Sequence, residues 1–103
     1  MEVVAKYRFE RMVAAALNDL PDELQHVLDN VVVQIHDRNP AEPTILGLYE
    51  GVPHTERTGH EGPDVVSIYR LPLCAMCEDI DDLADEVYVT VIHEVAHAAG
   101  IDD

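Results

Sequence analysis

At 103 residues, 48% of them hydrophobic, and with 6 basic against 21 acidic side chains, the chain suits one compact domain over residues 1–103 with a single core. Its formal net charge of −15 repels phosphate backbones and anionic headgroups, so neither nucleic acid nor a membrane is expected as a partner, and no run nears the ~18–20 apolar residues of a membrane span. Two cysteines, Cys74 and Cys77, are too few for a secreted disulfide framework. The apolar stretch Met12 to Leu17 is too short for a secretory core, so a cytoplasmic protein is expected.

In chain order, Phe9, Met12, Val13, Ala16, Leu17 and Leu20 fall on the stripe of an amphipathic helix that Pro21 stops. A short second helix is expected from Pro21 to Leu28, with Asp22 and Glu23 at the positive end of its dipole. Val31 to Ile35 is β-branched and reads as a largely buried strand ending near His36 and Asp37. Thr44 to Tyr49, between Pro43 and the Gly51-Val52-Pro53 turn, is a second strand. His54 to Asp64 lacks apolar periodicity and reads as an exposed loop, and Val65 to Leu71 is a third strand closed by Pro72. From Asp79 to Ala99 the period becomes helical, with Ile80, Leu83, Ala84, Val87, Val91, Val95 and Ala98 on one stripe and Gly100 as the stop. The order implies an α+β domain with helices laid on one small sheet. Nothing in the pattern specifies an oligomeric state.

The last helix carries His93-Glu94-Val95-Ala96-His97, an H-E-x-x-H pattern. Histidines four apart project from one side of a helix about one turn (~5.4 Å) apart, so both imidazoles can reach one metal ion, with Glu94 flanking it. They lie away from the centre of the apolar stripe, so the helix can bury one side and turn the histidines to a cleft. Gly100 and Asp103 extend the pattern to H-E-x-x-H-x-x-G-x-x-D, which takes accidental occurrence from roughly 3 in 100 to below roughly 1 in 1,000. A glycine at the helix end permits the left-handed turn that swings a later residue back toward the metal.

In these residues the chain resembles the zincin metallopeptidases, with the extended metzincin-type motif and aspartate in place of the third histidine. The helix, strands, active-helix order and the segment Gly47 to Arg57 (GLYEGVPHTER) resemble the short bacterial zincin-like domains. The resemblance implies a zincin-like fold: an N-terminal helix, a small three- or four-stranded mixed sheet and a long C-terminal active-site helix. It implies Zn²⁺ held by His93, His97 and Asp103, with the terminal carboxylate or Asp102 as other sources of the oxygen ligand, and Glu94 acting as catalytic base on the zinc-activated water. The expected activity is hydrolysis of a peptide or other amide, with the peptide pairing along the edge strand Thr44 to Tyr49. No methionine-bearing turn or cleft-closing subdomain follows Asp103 in the metzincin manner, which keeps open a non-catalytic zinc-binding module using the same site for stability or partner binding.

Three further features are weighed against plainer readings. Cys74-Ala-Met-Cys77 has thioredoxin-like spacing, but the acids that follow it disfavour a thiolate, so small buried cysteines are the expectation. Tyr49, His54 and His60 could approach the cleft as oxyanion donors, whereas His26 and His36 read as surface residues. The acids from Glu78 to Glu86 form a solvated face, of which Glu86 alone lies on the side of His93, where it could meet a cationic substrate group.

Overall fold

The computed structural model describes residues 1–52, 56 and 58–101; the expectations for His54, Asp102 and Asp103 fall outside them. The first helix, α1 (Lys6–Asn18), buries Phe9, Val13 and Ala16, with Met12 and Leu17 packed beside them. Gln25 closes its end, its amide donating to the carbonyl of Leu17 in the last turn at 3.1 Å and to that of Leu20 just beyond it at 3.0 Å. The second helix is shorter than its pattern: α2 (Asp22–Gln25) starts after Pro21 and tightens into a 3-10 turn over His26–Asn30.

Three strands form a mixed sheet in the order β1 (Val31–His36), β3 (Asp64–Tyr69), β2 (Gly47–Glu50). β1 runs parallel to β3, pairing Val33 with Val66 and Ile35 with Ile68, and β2 runs antiparallel to β3, pairing Gly47 with Ile68. Residues opposite one another share a face, so Val33, Ile35, Val66, Ile68, Gly47 and Tyr49 all look toward the helices. The expectation that the first strand is largely buried is corrected: β1 is an edge strand whose residues alternate between half-buried and exposed, with Val32 43% exposed. A strand with one neighbour and helices on one face hides only every second side chain.

Two other boundaries move. The second strand begins at Gly47 rather than Thr44, although the Tyr69 N–H donating to the Leu46 carbonyl at 2.9 Å continues the pairing by one link. The third strand ends at Tyr69, and α3 (Arg70–Met76) follows at once where the sequence pattern placed strand and then a stop. Pro72 is the third residue of α3, where the missing N–H has no intrahelical acceptor in any case, so it opens this helix instead of breaking a strand.

The longest element, α4 (Ile80–Ala98), is about 28 Å long. Asp79 caps it by accepting from the Asp82 N–H at 2.9 Å, while Asp82 accepts from the Glu78 N–H at 2.9 Å. Leu83, Val87, Val91 and Val95 are wholly buried, each contributing about 1.5–3 kcal/mol of gross burial, and so fix the rotation of α4 about its axis. It packs on β2, β3 and α1, giving an α+β architecture with helices on one face of the sheet. Among the described residues no helix is long and apolar enough to cross a membrane.

Candidate metal centre

Once burial sets the rotation of α4, the side chains of its last two turns have little freedom in direction. His93 and His97, half-buried, stand with ring centroids 4.5 Å apart and planes at 64°, edge to face. Between them Glu94 is 7% exposed, and its Oε1 lies 3.3 Å from Nδ1 of His97. One donor atom from each of the three falls within 4.8 Å of the others. Ligand atoms on a tetrahedral Zn²⁺ with bonds of about 2.0–2.1 Å stand about 3.3 Å apart, so small rotations of the two imidazoles would bring His93 and His97 onto one ion with the Glu94 carboxylate beside it. Two imidazoles match the nitrogen donors that zinc prefers, and they leave positions for an oxygen ligand and a water.

The helix stop beyond the cluster is built as the sequence implies. Gly100 has φ +84°, its N–H donates to the His97 carbonyl at 2.9 Å, and the Ile101 N–H donates to the Ala96 carbonyl at 2.9 Å. These two bonds make a Schellman turn, which requires the left-handed backbone that glycine adopts without strain. The chain therefore reverses one turn after His97. Asp103, expected to supply the third ligand, lies outside the described residues.

Two of the three clustered residues, His93 and Glu94, stand in the wall of a cleft of about 310 Å³ between α4 and the chain entering β2. The segment 44–47 forms one side, and Glu86, Val89, Thr90, His93 and Glu94 form the other. A larger hollow of about 560 Å³ lies between α1 and α4, but it contains none of the three clustered residues, so the smaller cleft is the candidate site.

Gly47 is a positioning residue that sequence reasoning did not single out. A Cβ there would stand 2.9 Å from Cγ2 of Thr90, 3.0 Å from Cγ of Glu94 and 3.3 Å from its Oε2. The absence of a side chain lets β2 lie directly on α4 and seat Glu94. A glycine inside an otherwise strand-like run was the available signal, since such glycines often mark close approach of another element.

The remaining candidates separate cleanly. The Tyr49 hydroxyl donates to Oδ2 of the buried Asp64 at 3.2 Å, and Tyr49 is not among the residues lining the cleft. His60, His26 and His36 are exposed. Cys74 and Cys77 are buried free thiols, and burial, followed by the charges of Asp82 and Glu86, pushes the Cys77 thiol up to about 11. A thiol so held is protonated at neutral pH and poor in exchange, which fits the core reading over the redox one. Glu86 does share the cleft with His93.

Comparison with known proteins agrees with this geometry. The model of a family described as zincin-like metallopeptidase matches residues 28–103, a span that takes in the whole sheet and α4. A solved structure of a conserved hypothetical protein from Thermus thermophilus superposes with a TM-score of 0.61 at 19% identity, covering 90% of this chain and 92% of that one. At that identity the likeness concerns the fold alone. No curated protein matches the chain.

Proposed function

Because the chain belongs to the zincin-like metallopeptidase family, we propose that it is a zinc-dependent hydrolase acting on a peptide or other amide carbonyl. The observation that carries this reading is the His93, Glu94 and His97 cluster, of which His93 and Glu94 line a cleft beside β2. His93 and His97 would hold the metal through ring nitrogens, and Asp103 is the expected source of a third, oxygen ligand. Bound there, Zn²⁺ supplies Lewis acidity, polarising a carbonyl and lowering the pKa of a water molecule toward ~7. Glu94 is the proposed general base: its carboxylate, seated against Gly47, would take a proton from the attacking water and return it to the leaving amine. Among the described residues β2 pairs only with β3, and its other edge is where an extended peptide would pair and lie along the cleft. The two free, buried cysteines support a reducing, cytoplasmic setting.

The test uses Glu94→Gln, which keeps shape and removes the base. The variant should retain zinc by metal analysis and lose peptide hydrolysis by about 10²–10⁴-fold. Full activity in Glu94→Gln would overturn the assignment. Stoichiometric zinc with no member of a peptide library cleaved by the wild-type protein would assign the site to a non-catalytic binding module.

A further inference from the structure

Glu86 is the one carboxylate lining the cleft, among the described residues, that does not belong to the metal cluster. It lies seven residues before His93 on α4. Seven residues fall about 20° short of two full turns, so the two side chains leave the helix in nearly the same direction, separated by about 10.5 Å along its axis. An extended peptide advances about 3.3 Å per residue, so three of its residues span that distance.

The surface between these two points is mixed in a particular way. Ile45, Leu46 and Val89 line the cleft beside Glu86, and Val89 is 54% exposed. Aliphatic walls ending at a single half-buried carboxylate suit a side chain with an apolar stem and a cationic head, which is the construction of lysine and arginine. A divalent ion would need several oxygens rather than one. None of the ion pairs among the described residues takes Glu86, so its charge is available. A net charge of −15 draws cationic peptides to the whole molecule, and only a local group can convert that attraction into a choice of residue.

Resting on the peptide-hydrolase reading of the same cleft, we propose that Glu86 selects substrates carrying a lysine or arginine two or three residues from the bond held at His93 and His97. Glu86 then acts as a specificity-determining contact, and Ile45, Leu46 and Val89 receive the stem of the bound side chain. Asp85, its neighbour in sequence, lines the hollow between α1 and α4 and has no part in this contact.

The experiment measures binding separately from cleavage. Fluorescein-labelled, end-capped alanine and leucine peptides bearing a single lysine, norleucine or glutamate, moved through each position, are titrated into the zinc-loaded full chain and followed by anisotropy. Mass spectrometry of the same mixtures locates any cleaved bond. With lysine at the favoured position, affinity should exceed that of the norleucine peptide by about tenfold. Glu86→Gln should abolish the difference, Glu86→Lys should shift preference to the glutamate peptide, and Asp85→Asn should leave it intact. The proposal is overturned if no peptide shows a lysine preference, if the preference survives Glu86→Gln, or if Asp85→Asn weakens it equally, since the last result assigns it to the overall field. Lysine-selective binding without cleavage sinks the hydrolase reading and upholds Glu86 recognition. Cleavage indifferent to lysine does the reverse.

Discussion

Replacing Gly47 by alanine tests whether the close approach of β2 to α4 seats the carboxylate of Glu94, the proposed base. The backbone of Gly47 is outside the left-handed region, so the new residue is not strained by its φ; only space is at issue. The added carbon meets Cγ2 of Thr90 at 2.9 Å and Cγ of Glu94 at 3.0 Å, each short of a comfortable ~3.5–4.0 Å carbon contact by half an ångström or more. Thr90 is β-branched, stiff and buried, so the strand must lift or Glu94 must turn aside. Overpacking of this kind costs about 1–3 kcal/mol, which for a domain of this size lowers Tm by roughly 5–20 °C. Displacement of the base should reduce hydrolysis by about 10–100-fold while zinc remains bound. Calorimetry, metal analysis and peptide turnover read the three quantities. Gly62→Ala, where an added carbon meets nothing within 4 Å, should stay within about 0.5 kcal/mol of the parent. Trimming the obstruction with Thr90→Ser should recover part of the Gly47→Ala loss. A Gly47→Ala protein that melts with the parent and turns over peptide at the parent rate would refute the argument.

Other perturbations have equally definite outcomes. His93→Ala removes one imidazole and should weaken zinc binding by at least about 100-fold in chelator competition, with the far-ultraviolet spectrum retained. Gly100→Ala places a side chain at φ +84° and should cost about 1 kcal/mol in urea unfolding, through the turn that follows His97. The Cys77 thiol gives a pH signature: between 9.0 and about 11 the unfolded chain releases this proton while the folded chain keeps it. Unfolding therefore becomes easier as pH rises through that window, by no more than about 2–3 kcal/mol, and Cys77→Ala should lose that part of the slope. Equal slopes in the two proteins would show that the thiol is not held protonated by its surroundings.

Much of the candidate site was legible because its information is local. The 3.6-residue period alone puts Leu83, Val87, Val91 and Val95 on one stripe and His93 with His97 on another direction, and Gly100 alone can make the turn that ends α4. The mixed character of the sheet was expected from the family resemblance, and the fold bears it out. The strand ends were less legible, since Leu71 beyond Arg70 prolongs the strand-like pattern and hides the point where β3 becomes α3. Periodicity does not separate a short apolar strand from the first turn of a buried helix.

The spacing of His93 and His97 alone puts two imidazoles on one side of the helix as a candidate metal pair, since residues one turn apart must face the same way wherever the helix is placed. Only the tertiary structure decided what that helix faces. Gly47 meets Thr90 and Glu94, and Glu86 faces Ile45 and Leu46 across the cleft, through the order β1-β3-β2 and the pairing of Gly47 with Ile68. Contacts between residues so far apart in the chain depend on which strand lies at the edge and in which register, and a one-residue slip would turn every side chain of β2 to the other face.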